Sequence, residues 1–414
     1  MGTHAKLSAS GSHKWAACPA SPRVEQAEQE STSIWAAEGT VAHFVASETL
    51  EGRPLGLGST VYITAGGDAT LYPDASGYAY KFVLDSTMLG HVAEYVQNIK
   101  EFAGSDGALF VEQALDISVV TGEEGARGTA DAVVLRGSEL QVHDLKYGRN
   151  AVDVTDNKQL MLYAYAAYET YCAFGEFDQV LIAIHQPRVG SGAPSTQTLT
   201  IAELEEHIQG LRTAAEVALY VLTNEEEGFD PFLYATPGGH CSDNYCKARA
   251  TCPALVGAVE QATEEASGFF AAEAGGEDYL SRLGNLAAKV PMVQDWCKSV
   301  MDKLFTEVLE KKQSVPGFKV VMGREGNRAW KDEKVTSQVL KSLRVPKQVA
   351  YEEVLLSPTK LDAKYKEGVI SKGAWPKIEE CIVRAAGKPT VAPLTDKRPA
   401  IELAKEDLSD GFEV

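Results

Sequence analysis

"GTADAVVLRGSELQVHDLKYG", residues Gly128–Gly148, alternates apolar and polar side chains on both sides of a short turn, Arg136-Gly137-Ser138-Glu139. Alternation of period two around a glycine-containing turn predicts two paired strands. Asp144 and Lys146 lie two apart on the second strand and so project from one face. The turn brings Asp131, on the first strand, beside them. Two carboxylates held close repel each other unless a cation sits between them. Hard oxygen donors suit Mg²⁺ or Mn²⁺, and a lysine next to that ion can orient or deprotonate a water. This is the equipment for metal-assisted hydrolysis of a phosphodiester. For D-x-K alone the competing reading is an exposed hairpin with an Asp144–Lys146 surface pair.

Working outward, "EGTVAHFVASETLEG" (Glu38–Gly52) reads as a helix capped by Thr40 and stopped at Gly52. "MLGHVAEYVQNIKEFA" (Met88–Ala103) is a second amphipathic helix, and "ALFVEQALDIS" (Ala108–Ser118) switches to strand alternation. "NKQLMLYAYAAYETYCAFG" (Asn157–Gly175) is strongly helical, "QVLIAIHQP" (Gln179–Pro187) is a short buried strand, and the stretch from Thr200 to Leu222 is a long helix with Thr200 as cap. Helix, strands, helix, strand, helix predicts an α/β core built on a mixed sheet.

With 414 residues the chain exceeds one ordinary domain. Its divisions read as a core over residues 1–255, a helical connector over 256–313 and a small α+β C-terminal unit over 314–414 that ends in an extended tail. No apolar run approaches the ~20 residues that cross a bilayer, and the N-terminal stretch lacks the pattern of a secretory signal. A cytoplasmic location without membrane partners is therefore expected. A net charge of −19 argues against a uniformly basic nucleic-acid-binding surface. A local groove stays open, since affinity depends on charge at the contact: residues 301–350 carry 11 Lys/Arg against 6 Asp/Glu.

The ordered series "GTAD", "HDLKYG" and "QLMLYAY" resembles the PD-(D/E)XK nuclease superfamily in its RecB-like branch. That signature is G-x-x-D on one strand, (D/E)-x-K on the next and Q-x-x-x-Y on the following helix; here it falls on Gly128 to Asp131, Asp144 to Lys146, and Gln159 to Tyr163. The branch carries G-T-x-x-H upstream, matched by Gly39, Thr40 and His43. The resemblance implies a restriction-endonuclease-like core with a central mixed β-sheet flanked by helices. It further implies a metal held by His43, Asp131, Asp144 and the backbone carbonyl of Leu145, with Lys146 at the attacking water and Gln159 and Tyr163 bordering the site. Asp144 stands where many members have Glu. Glu48 lies around the helix from His43, which favours a structural role, whereas Glu112, on the strand before the hairpin, is a further carboxylate candidate.

Seven cysteines, an odd number, disfavour a disulfide framework in a cytosolic protein. Cys241, Cys246 and Cys252 crowd together in "HCSDNYCKARATC", and Cys18 lies upstream of the motifs above. One early and three late cysteines are similar to the iron–sulfur RecB-like nucleases, including AddB and the CRISPR-associated adaptation nucleases. There a [4Fe–4S] cluster staples the ends of the nuclease domain. The late spacing here is C-x₄-C-x₅-C rather than C-x₂-C-x₅-C, so Zn²⁺ or no metal stay open beside the cluster. Cys172, Cys297 and Cys381 read as packed cysteines.

Arg324, Arg328, Trp330 and Lys331 would suit single-stranded nucleic acid by charge and stacking, or equally an ordinary solvated face. The whole order of motifs resembles a phage- and prophage-encoded family of RecB-like proteins. The implied function is a Mg²⁺- or Mn²⁺-dependent DNase, an exonuclease acting on single- or double-stranded DNA with phage replication or recombination proteins as partners. The alternatives are a catalytically silent nuclease-fold scaffold and a zinc-stapled binding module.

Overall fold

The computed structural model describes residues 5–28, 33–72, 77–189, 193–270 and 277–318, with a few positions between 362 and 376. Two compact units are present, Met1–Pro316 and Gly317–Val414. The first begins with two short helices, α1 (Ser12–Ala17) and α2 (Ser21–Val24). Next come α3 (Ile34–Leu50), strands β1 (Thr60–Ile63), β2 (Ala69–Thr70) and β3 (Tyr80–Val83), and α4 (Ser86–Ala103). β4 (Ala108–Asp116), α5 (Ser118–Thr121), β5 (Arg127–Arg136), β6 (Glu139–Leu145), α6 (Lys158–Tyr171), β7 (Gln179–His185), β8 (Ser195–Thr200) and α7 (Ile201–Thr223) complete the sheet and its cover. Three helices close the unit: α8 (His240–Asp243), α9 (Pro253–Phe270) and α10 (Glu277–Phe305).

The main sheet has five strands in the order β4-β5-β6-β7-β8. Only β6 and β7 are parallel, with Leu140 opposite Val180 and Leu145 opposite His185; the other pairings are antiparallel. The chain is therefore mixed α/β, a five-stranded mixed sheet flanked by helices. A parallel pair needs a crossover, and α6 supplies it. On one face α1, α6 and α7 pack through Trp15, Leu160, Leu162, Leu204 and Ile208. On the other, α3, α4 and a three-stranded sheet of order β2-β1-β3 pack through Val41, Val45, Ile63, Tyr95 and Ile99. α6 is apolar nearly all round, as a helix between a sheet and another helix must be.

Capping chemistry fixes the helix starts, with one correction. Thr200 and Glu203 form a reciprocal capping box on α7, and Asn157 and Asp85 cap α6 and α4. α3 starts not at Thr40 but at Ser33, whose hydroxyl accepts from the Ala36 N–H. Thr40 lies inside the helix and donates to the Ala36 carbonyl at 3.2 Å, the alternative partner a mid-helix threonine finds. Gly52, just past the end, has φ +83° as a stop glycine should. Among the described residues no helix is long and apolar enough to cross a membrane. In the second unit the rings of Tyr365 and Trp375 stack at 4.7 Å. Arg324, Arg328, Trp330, Lys331, Cys381 and the extended tail lie outside the described residues.

Candidate functional site

The end of the β5–β6 hairpin gathers the charged residues of the motifs. His43, on α3, donates from Nδ1 to Asp131 Oδ1 at 3.0 Å, and the Leu145 N–H donates to Asp131 Oδ2 at 2.7 Å. Lys146 Nζ donates to Asp144 Oδ1 at 3.2 Å and to Gln159 Oε1 at 2.9 Å. Gln159 Nε2 donates to the same Asp144 oxygen at 3.3 Å. Asp144 Oδ2 is buried with no hydrogen-bond donor; Lys146 Nζ stands 3.0 Å away as a charge, outside hydrogen-bond geometry. The structure thus brings His43, Asp131, Asp144, Leu145, Lys146 and Gln159 together.

The two carboxylates are pushed apart in acidity. Burial penalises Asp131 as an anion, but the adjacent His43 charge and hydrogen bond, the Leu145 N–H and Lys146 together lower its pKa. Asp144 goes the other way: burial and the Asp131 charge outweigh Lys146, so its pKa rises. Burial works against a charged His43, yet Asp131, by charge and hydrogen bond, and Asp144 raise its pKa to about 9. A cation between the carboxylates would relieve the repulsion and draw both to the charged form.

Tyr163 explains the glycine of G-x-x-D. Its ring lies over Gly128 so closely that a Cβ there would meet Cε1 at 2.6 Å, and its hydroxyl sits beside the Gln159 side chain and the Thr129 backbone. Glu112 is a further member. It faces Asp131 across β4 and β5, between the pairs Val111–Ala132 and Gln113–Ala130, and takes φ +48°. A left-handed conformation costs a non-glycine residue on the order of 1 kcal/mol or more, which the surroundings must over-determine. Its carboxyl shares a small pocket with His43, Tyr95, Asp131 and Leu145; burial and the Asp131 charge push its pKa up to about 7. Glu48 is turned to Arg53, whose Nε donates to it at 2.9 Å.

Behind β6 lies a buried polar chain with no motif in the sequence to announce it. His143 contacts Gln141 Oε1 and His185 Nε2, each at 3.1 Å. Burial lowers the pKa of His143, and lowers that of His185 to about 4. Tyr95 stands edge-on to His185 at 4.9 Å.

The cysteines form a separate cleft. Cys18, Cys241, Cys246 and Cys252 line it together, with Lys14 and Arg249 at its margin. Long-range hydrogen bonds assemble it: Thr236 to the Ala17 carbonyl, Asn244 to the His13 carbonyl, and the Lys247 N–H to Glu25. Burial raises the Cys241 thiol and pushes Cys246 up to about 12, with Glu25 adding to the latter. Cys172 and Cys297 are exposed, not packed: Cys172 follows the last residue of α6, and Cys297 lies on an open side of α10.

Both groups fit their implied occupants by donor type. Carboxylates with one imidazole suit Mg²⁺ or Mn²⁺, and the buried Asp144 Oδ2 faces the Lys146 ammonium at 3.0 Å. Four thiols in one cleft suit a cluster or zinc. Among the described residues no such group is already closed to metal-ligand spacing. A solved structure described as "Crystal structure of SSO0001" matches with 16% identity over 41% of this chain and 72% of that one, at a TM-score of 0.22. A family model described as "Protein of unknown function (DUF2800)" matches residues 4–399, nearly the whole length, and the chain belongs to that family.

Proposed function

We propose that the protein is a Mg²⁺- or Mn²⁺-dependent deoxyribonuclease of the RecB-like PD-(D/E)XK type. The observation that carries this is the convergence of Asp131, Asp144, Lys146, His43 and Gln159 at one hairpin end. His43, Asp131 and Asp144 would hold the ion, with the Leu145 carbonyl and Glu112 next to them. When bound, the ion would offset charge on the scissile phosphate and lower the pKa of water. Lys146, fixed between Asp144 and Gln159, would orient the attacking water and stabilise the developing phosphorane charge. Tyr163 would brace Gln159 and the G-x-x-D strand. Cys18, Cys241, Cys246 and Cys252 would hold a [4Fe–4S] cluster, or Zn²⁺, in a structural role. Action within phage DNA replication or recombination, in the bacterial cytoplasm, completes the reading.

Labelled single- and double-stranded DNA incubated with Mg²⁺, Mn²⁺ or EDTA tests it. Wild-type protein should digest DNA only with the divalent ion, and Asp144→Asn and Lys146→Ala should not digest it while remaining folded. Undiminished digestion by purified Asp144→Asn would sink the assignment. DNA binding with no digestion under any metal would favour the silent scaffold.

A further inference from the structure

Tyr245 immediately precedes Cys246 and combines three features that packing does not require. Its side chain is large and aromatic, yet 66% exposed. Its backbone is left-handed, φ +51°, one of the few non-glycine residues so placed, and such a conformation survives only where the surroundings impose it. Its hydroxyl accepts from Asn150 Nδ2 at 3.2 Å, across 95 residues of sequence. Asn150 belongs to the loop that leaves β6 just after Lys146, so the ring is tethered to the segment that carries the candidate lysine.

The ring borders a groove of about 690 Å³ that Lys6, His13, Lys14 and Lys247 also line. Glu25 and Asp243 face the same groove; Glu25 pairs with Lys14 at 2.8 Å and accepts from the Lys247 N–H at 2.6 Å, so a phosphate at Lys14 would compete with that pair. His13 connects the groove to the carboxylate site: it interacts with the Asn157 side chain and lies within range of the charges of Lys158 and Lys146. Lysines along a groove with an exposed aromatic ring at its wall are what an unpaired strand uses, phosphates on the ammonium groups and a base on the ring. A duplex has no free base faces to offer the ring.

We propose that Tyr245 is a base-stacking platform that seats a single nucleic-acid strand in this groove and leads it to the carboxylate site. The proposal rests on the nuclease reading and adds the approach path of its substrate. The test is the anisotropy of a fluorescent oligothymidylate titrated with full-length protein in EDTA, where binding is read without cleavage. Tyr245→Ala should weaken binding by about tenfold or more, the usual loss on removing a stacking ring. Tyr245→Phe, which keeps the ring and loses the Asn150 bond, should stay within about twofold of wild type, and Tyr245→Trp should bind at least as tightly. Equal affinity of Tyr245→Ala and wild type overturns the proposal. So does a Tyr245→Phe loss as large as that of Tyr245→Ala, which would make the hydroxyl a loop anchor and nothing more. Those two results, obtained with a wild type that digests DNA, leave the nuclease reading standing. A wild type that neither binds the oligonucleotide nor digests DNA removes both.

Discussion

The carboxylate site and the cysteine cleft gather their donors by opposite means. Each carboxylate of the hairpin already has partners within the chain: His43 and the Leu145 N–H for Asp131, Lys146 and Gln159 for Asp144. The buried thiols have only neutral ones, the Gly238 backbone for Cys241 and the Ala248 backbone for Cys246. Cys241 lies within range of Cys18 and Cys252, Cys246 within range of Cys241 and Glu25, and burial pushes both thiols away from the thiolate form. The difference teaches which site should hold its shape with no ion bound. Counter-charges preorganise the hairpin, whereas the cleft relies on a few bonds between side chains and backbone that join the N-terminal segment to residues 236–247.

The largest expected effect breaks function and spares the fold. Asp144→Asn should lower divalent-ion-dependent DNA digestion by about a hundredfold to a thousandfold, as loss of a preorganised group does. Its thermal midpoint, with or without EDTA, should remain close to that of wild type. Unfolding of the variant at room temperature would show that the hairpin, too, depends on its charges for cohesion.

The cleft should behave in reverse. Cys246→Ser should lose iron and sulfide, or zinc, by elemental analysis, and its thermal midpoint should fall by about 5–10 °C, a few kcal/mol for a unit of this size. A fully loaded and equally stable Cys246→Ser would erase the contrast.

Gly128→Ala sharpens the comparison from the side of packing. The added methyl would press on the Tyr163 ring, so urea unfolding should show a loss of about 2–3 kcal/mol, the range for overpacking against a buried ring. Gly128→Ala combined with Tyr163→Leu should recover part of that loss. No recovery would mean that the glycine serves the backbone and not the ring.

The smallest effect concerns the histidines behind β6. Burial holds His185 at about 4, below its unfolded value near 6.5. Between those values the unfolded chain binds the extra proton, so stability is whole above about pH 6.5 and falls as pH drops toward 4. The loss should reach about 2 kcal/mol or slightly more by denaturant titration at the two ends of that window, and His185→Gln should flatten it. An unchanged slope in the variant would place the acid sensitivity elsewhere, with His143, whose pKa burial also lowers, the first suspect.

Periodic stretches were readable from the sequence. β5, β6, α4, α6, β7 and α7 follow from apolar spacing and caps, because each buries a face whose period the chain must repeat. β1–β3 and β8 were not: β1–β3 are only two to four residues long, too short for an alternation to stand out, and β8 is polar at most positions. Thr40 was misplaced as a cap for a different reason. A hydroxyl can bond an N–H ahead or a carbonyl behind, and sequence does not say which.

The sequence by itself determined which chemistry the chain can carry: Asp131, Asp144 and Lys146 on paired strands, with thiols at both ends of the core. Only the tertiary structure decided what meets what. His43 and Asp131 are 88 residues apart and touch because α3 packs on the sheet beside the hairpin end. Glu112 turns to the site, and Tyr245 stands up in a groove, through left-handed backbones that no pattern of residue types encodes. Local preferences repeat along a chain and can be read there, whereas long-range contacts depend on how the elements close upon one another.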